Sequence, residues 1–447
     1  MGRKILILGL ILTLLAVCAG SIVAALPVMA AIREGRVNLS WFSINNVSAD
    51  VVEEKRIAVA GTPSVTVHTP NGRIEIRTQK DAREVVLSAH KFAWGMDAKA
   101  AEALLEKVVV DVQQTGSQIE IQVDAPVEVD LLHIGPAGIQ VDFLLTVPEE
   151  ASVAASTSSG EIIAAGMTGE TTLRSDFGDV FARDLRGGLI AHSNSGKVIV
   201  ENAGSPDSAL DASSGFGDVV IRNAAAKSVT GHSNSGSVSL YESNVEGSAE
   251  LTTSFGDVRM KQVVAGSIRL QTNSGRVSLE DVVAKGAAVA ETDFGDILCT
   301  ATTAGQYDLQ TDSGKVEASG LRGSAKAHSN FGDLILSGDG VLLDAGTSSG
   351  LVTFSGTLAD GSNVLTSNFG DITVSLPEGS QFHMDLKTSF GSVHSDFPVT
   401  TREAGSTHLT GDVGSGGPSL TASTNSGDVE VRILAGASAA ATSAPVE

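Results

Sequence analysis

A short phrase built around glycine recurs through this chain: Thr or Ser, a polar residue, Ser or Phe, Gly, any residue, then an aliphatic one. Its glycines are Gly160, Gly178, Gly196, Gly217, Gly236, Gly256, Gly275, Gly295, Gly314, Gly332, Gly350, Gly370 and Gly391, at steps of 18 to 21 residues. A fixed period in this range marks stacked units, none of which can bury its apolar face alone. Two residues after the glycine comes an aliphatic side chain, as in Val198, Val219, Val238, Val258, Val277, Ile297, Val316, Leu334, Val352 and Ile372. Four residues after it sits another apolar position, as in Leu240, Met260, Leu279, Leu336 and Val374. Five and seven residues before it the pattern repeats, as in Leu251 with Ala249 and Leu270 with Ile268. Both flanks thus alternate with period two, as half-buried strands do, and the glycine supplies the turn between them. A looser second glycine (Gly247, Gly266, Gly286, Gly305, Gly323) precedes many strands. Only 4% of the chain is aromatic, so the interior must be thin and aliphatic. The expected fold is all-β: a parallel β-solenoid of about 19-residue coils stacked about 4.8 Å apart.

The residue before the glycine alternates between Ser and Phe: Ser195, Phe216, Ser235, Phe255, Ser274, Phe294, Ser313, Phe331, Ser349, Phe369. Every Phe turn through Gly370 is followed by Asp: Asp179, Asp218, Asp257, Asp296, Asp333 and Asp371. The Ser turns between carry Lys197, Ser237, Arg276, Lys315 or Leu351. The repeating unit is therefore two coils. Equivalent residues of neighbouring coils lie about 5 Å apart, where like charges repel, so interleaving avoids an unbroken acidic column. This reading places Lys315 between Asp296 and Asp333. The Phe–Ser alternation fills a corner of the coil, each ring covering its smaller neighbour; inward and outward rings both fit.

The template appears once much earlier, in Val65, Val67, Asn71, Gly72, Ile74 and Ile76, as a first coil or a cap hairpin. Residues 81–150 then interrupt the register. Asp97 followed by Ala98–Lys107 predicts a capped helix, and strands are expected over Val108–Val112, Ile119–Val123 and Val141–Val147. These make a small α+β N-terminal cap region that shields the open sheet edge. The repeat loosens after Gly391 and returns at Thr424–Val429. The expected domains are an N-terminal transmembrane anchor or signal peptide over 1–32, a linker over 33–56 and the cap over 57–150. The solenoid follows over 151–434, and an Ala/Ser-rich disordered tail over 435–447.

The anchor reading rests on Ile5–Ile32, a run of 28 residues without a charge, preceded by Arg3 and Lys4. That exceeds the roughly 20 residues needed to span a bilayer. The leading basic residues keep its N-terminus cytoplasmic and export the remainder. Cleavage after Ala30, with Val28 and Ala30 as the small-residue signal, is the alternative. The expected location is the cell membrane, single-pass, with the bulk of the chain extracytoplasmic. With 52 Asp and Glu against 30 Lys and Arg, the net charge is −22, which excludes nucleic acid as a natural partner. Cys18 and Cys299 are the only cysteines, and the first lies in the apolar run. No intramolecular disulfide can brace the exported part. Cys299, beside Ile297 and Leu298, reads as a small packing residue.

The chain resembles the bacterial DUF4097 family, often labelled "putative adhesins", over about residues 50–434. The resemblance is carried by Asn-Gly-Arg-Ile-Glu-Ile within Val65–Ile76, the Phe143–Pro148 strand ending in Val-Pro, the repeated Ser-Gly and Phe-Gly-Asp turns, and Asn-Ser-Gly-Asp-Val within Gly416–Ile433. It implies a membrane-tethered extracytoplasmic β-solenoid and supplies no catalytic residues. The long regular run of alternating coils departs from shorter members.

His192, His232 and His328 each sit four residues before a repeat glycine. The nearest two are two coils, about 10 Å, apart, too far to share an ion bound at about 2 Å. The repeated Gly-Asp lacks the tandem spacing of calcium β-rolls. Nothing marks a nucleophile elbow, a phosphate loop or a carboxylate pair standing outside the repeat. Catalytic, cofactor and metal sites are accordingly expected to be none. The expected function is a non-enzymatic adhesin-like or envelope interaction scaffold, with an envelope glycan, another surface protein or a lateral copy of itself as partner. A carbohydrate-active β-helix enzyme and an envelope-stress sensing accessory are the alternatives.

Overall fold

A computed structural model of the chain describes residues 47–124 and 138–434. The expected membrane segment over 1–32 and the tail over 435–447 lie outside them. Among the described residues no helix is long and apolar enough to cross a membrane. The described residues divide into two compact units: Val52–His90, Val109–Asp124 and 140–434 belong to the larger, and Lys91–Val108 to the smaller.

The larger unit is a parallel β-solenoid, as its period requires. Strands before and after each glycine pair with their equivalents one coil away. Thr171–Phe177 aligns with Ser152–Ser159 on one side and with Leu189–Ser193 on the other. Val180–Arg183 is likewise flanked by Ile162–Ala165 and Val198–Glu201. The register sets Val198 against Val219, Val219 against Val238, and Val238 against Val258, so identical positions form columns. All are fully buried, as are Ile297, Val316, Leu334, Val352 and Ile372. The interior is the aliphatic ladder predicted from period-two alternation, and Leu240, Met260, Leu279, Leu336 and Val374 fill its second row.

Stack order and chain order differ at both ends. Ser64–Asn71 pairs with Ser152–Ser159 on one face and with Gln118–Asp124 on the other. Ile74–Gln79 lies between Ile162–Ala165 and Gly138–Pro148. The early template is therefore a true coil, so the parallel stack does not begin at residue 151. The Gln118–Asp124 and Phe143–Pro148 strands assigned to a cap are its outermost layer. At the other end Ser419–Ser426 enters between Ser362–Phe369 and Phe382–Phe390. Val429–Ile433 enters likewise between Ile372–Leu376 and Val393–Ser395. Both ends close with antiparallel strands: Val109–Thr115 on Gln118–Asp124, and His408–Val413 on Phe382–Phe390. Such strands end the templating edge of a parallel stack.

The linker expected over 33–56 is strand from Val47, within Val47–Ala58. Its side chains are mostly exposed, so it shows no apolar alternation to read in sequence. Arg56 fastens its far end to Glu84 at 3.0 Å. In the smaller unit the helix Ala98–Leu105 forms where the cap residue predicts it. Asp97 Oδ1 accepts from the Ala100 N–H at 2.8 Å, satisfying one of the free donors of the first turn. Lys91, buried at 5% exposure, donates to the Val108 carbonyl at 3.0 Å.

Candidate interaction surface

One corner of the solenoid repeats a hydroxyl and a glycine on every coil, and an Asp and a Phe on alternate coils. Three residues before the glycine, a buried hydroxyl donates to the glycine carbonyl of the neighbouring coil. Ser175 donates to Gly160 at 2.9 Å, Ser193 to Gly178 at 2.7 Å, Thr253 to Gly236 at 2.8 Å and Thr292 to Gly275 at 3.1 Å. The glycine itself is required by proximity. A Cβ on Gly295 would stand 2.0 Å from the Gly275 carbonyl oxygen, and one on Gly178 would stand 2.0 Å from that of Gly160. Backbone conformation is the lesser reason, since φ at Gly295 is +157°, near the extended range.

After the glycine, the Asp of each Phe coil accepts the backbone N–H of the next coil. Asp179 takes Lys197 N–H at 2.7 Å, Asp257 takes Arg276 N–H at 2.9 Å, and Asp296 takes Lys315 N–H at 2.9 Å. The alternation of Asp with other residues thus has a cause beyond charge spacing. One coil supplies a carboxylate, and its neighbour need supply only an amide. Direct ion pairing in this column is loose, with Lys197–Asp218 and Arg276–Asp296 both at 3.9 Å. The Lys315 ammonium turns instead to Glu317 on its own strand. That hydrogen bond raises the Lys315 pKa most, with Asp296 and Asp333 adding to the rise.

The fourth role belongs to the aromatic residue. Phe177, Phe216, Phe255, Phe294, Phe331, Phe369 and Phe390 are all between 61% and 78% exposed. The rings point to solvent and do not fill the corner, correcting the packing role expected of them. Each Phe is flanked in the register by Ser, as Phe294 is by Ser274 and Ser313, and Phe331 by Ser313 and Ser349. The result is a ladder of apolar knobs every second coil, about 10 Å apart, with shallow serine positions between them. At the far end Ser426 lies between Phe369 and Phe390 and preserves the alternation in space where it fails in sequence. Two successive Phe turns with one unmatched Ser turn at Ser426 were the available signal.

The other candidates resolve into structure. Cys299 is buried, and burial pushes its thiol up to about 11, away from the thiolate a nucleophile needs. His192 Nδ1 lies 3.0 Å from Ser213 Oγ, and His232 Nδ1 lies 2.9 Å from Thr252 Oγ1. His328 Nε2 lies 3.5 Å from Asp344. Each histidine answers a different neighbour. Among the described residues no three His, Cys, Asp or Glu side chains are grouped to hold a metal.

Two shallow open grooves of about 280 Å³ each lie on the solenoid. In the first, Arg73 pairs with both Glu75 and Glu161, at 3.3 and 3.2 Å. In the second, Glu291 holds Arg269 at 2.7 Å, and Asp312 accepts from Asn330 at 2.9 Å. Two carboxyls are held below the usual carboxylate range: Asp412 by His383 and Arg402, and Asp428 by Ser392. A general acid needs the opposite shift.

A family model, Toastrack DUF4097, matches residues 65–266 and 256–432. A search of the curated proteins finds no match. Among solved structures the chain is similar to a "putative adhesin" of Bacteroides fragilis, at 11% identity, over 69% of this chain and 97% of that one, with a TM-score of 0.26. It is also similar to a "putative cell adhesion protein" of Clostridium sporogenes, at 6% identity, over 86% and 100%, with a TM-score of 0.15. A "putative lipid binding protein" of Parabacteroides distasonis is similar at 11% identity, over 73% and 97%, with a TM-score of 0.21.

Proposed function

Because the chain belongs to the Toastrack DUF4097 family, we propose that it is a non-enzymatic, adhesin-like interaction scaffold of the cell envelope. In this reading residues 1–32 hold it at the membrane and the solenoid is displayed outside. The observation that carries it is the outward phenylalanine ladder. Seven large apolar rings are left exposed in line along one corner, a concentration of apolar surface that marks interaction sites. A rigid stack of hydrogen-bonded coils presents the stripe at fixed spacing, which lowers the ordering cost of association. The charge-free run Ile5–Ile32 supports the anchor.

The test uses the full chain, incubated with a panel of envelope glycans and surface proteins. Both retention and release of product are measured. A triple variant, Phe255→Ser, Phe294→Ser and Phe331→Ser, runs beside it. Association that is lost in the variant, without turnover, is the expected result. Released product would replace this reading with that of a carbohydrate-active enzyme.

A further inference from the structure

We propose that the phenylalanine ladder docks onto the same ladder of a second copy of this chain, antiparallel and offset so that each ring meets a serine coil. The inference rests on the ladder being an interaction surface, and it names the occupant.

Along the stack the corner runs from Ser159 to Phe390 in unbroken Ser–Phe alternation, because Ser426 is inserted before the last ring. A column that starts with Ser and ends with Phe has a special property. A two-fold axis midway between the Ser274 and Phe294 coils maps every Phe position onto a Ser position. Ser274 then faces Phe294 of the second copy, and Phe255 faces Ser313. Such an isologous contact closes on itself, giving a dimer and no filament. A parallel pair about an axis along the stack would instead set ring on ring.

Charge supports the same register. Across that axis Arg276 faces Asp296, Asp257 faces Lys315, and Lys197 faces Asp371 of the other copy. One like-charged contact arises, Asp179 with Asp428. An axis through a Phe coil would set Asp against Asp at every second coil. Opposite charges thus meet in the offset that also seats the rings, which favours one register over the others.

Area is sufficient. Burying a phenylalanine removes about 150–250 Å², so seven rings about two-thirds exposed offer roughly 700–1,100 Å², near the ~800 Å² per partner of a stable interface. A partner of other chemistry would have to carry knobs at the same spacing of about 10 Å in the opposite phase. A second copy carries them by construction.

The experiment takes the full chain in mild detergent and measures its mass by sedimentation, for the wild type and for the Phe255→Ser/Phe294→Ser/Phe331→Ser variant. Serine already occupies this position on alternate coils, so the variant folds. The expected result is a dimer for the wild type, a monomer for the variant, and matching thermal melts. In a Cys18→Ala background, Phe255→Cys mixed with Ser313→Cys should cross-link on mild oxidation. Phe255→Cys mixed with Ser235→Cys should not. A monomeric wild type overturns the pairing, as does cross-linking in the second mixture. If that monomer binds a glycan and the triple variant does not, the interaction-surface reading survives without the pairing. If neither self-association nor binding responds to the triple variant, both fall.

Discussion

Asp428 donates its backbone N–H to Asp371 Oδ1 at 2.8 Å, although 57 residues separate them. The bond is the same one that Lys315 makes to Asp296 across 19 residues. The last strand pair thus uses the repeat's own chemistry to enter the stack beneath a coil formed earlier in the chain. Asp428 then accepts from Ser392 N–H at 2.7 Å, completing the relay to the terminal coil. The break in the Ser–Phe alternation at Phe390 is the one local mark of this insertion. What selects it is that each interior coil needs a partner on both faces.

The Asp ladder makes a first prediction. If the carboxylate works by accepting the Lys315 amide, Asp296→Ala should cost about 1–2 kcal/mol. Asp296→Asn keeps an acceptor oxygen and should cost clearly less. Urea melts of the two variants decide the matter. Equal losses would mean that charge, and not the hydrogen bond, sets the preference.

Close approach at the turn makes a second. Gly295→Ala places a Cβ 2.0 Å from the Gly275 carbonyl, so two coils must separate. A loss of about 3 kcal/mol is expected, the upper part of the range for overpacking. Thr292→Val removes the hydroxyl bond to the same carbonyl and should cost only about 1 kcal/mol. Thermal unfolding of both variants, read by circular dichroism, gives the ranking.

Burial contrasts with exposure at two neighbouring positions. Leu336→Asp puts an unpaired carboxylate into the aliphatic interior and should cost on the order of 4 kcal/mol or more. Lys315→Asp leaves the Lys315 backbone bond in place and adds a charge beside Asp296, Asp333 and Glu317. Its effect should be much smaller and should shrink as salt is added. Melts at low and high salt separate the two. A Lys315→Asp loss that ignores salt would contradict this placement.

Cys299 gives a pH signature. Its thiol is raised from 9.0 to about 11 by burial, so the folded state binds the proton more tightly than the unfolded chain. That stability is fully present below pH 9.0 and is lost as pH rises toward 11, by roughly 3 kcal/mol in all. Cys299→Ala should flatten this part of the profile relative to wild type. Thiol alkylation should likewise wait for unfolding, which a protection assay in graded urea can follow.

The solenoid itself was legible because its causes are local. Aliphatic residues at Val258, Met260, Leu270 and their equivalents alternate with polar ones, and glycine returns at each turn, so strand, face and period follow from spacing alone. The Asp97 helix cap and the packing role of Cys299 were readable for the same reason. The direction of the phenylalanine rings was not. Burial depends on what lies beside a corner, and Phe294 has serines as its register partners on both neighbouring coils. The partner of Lys315 was equally hidden, since Glu317 on its own strand and Asp296 on the next are both within its reach. Tertiary structure alone decided the order of the end coils, where Ser64–Asn71 and Ser419–Ser426 enter between strands distant in sequence. Any coil of this repeat can pair with any other through the same backbone bonds. The closing of both sheet edges is a property of the whole stack that no single repeat carries.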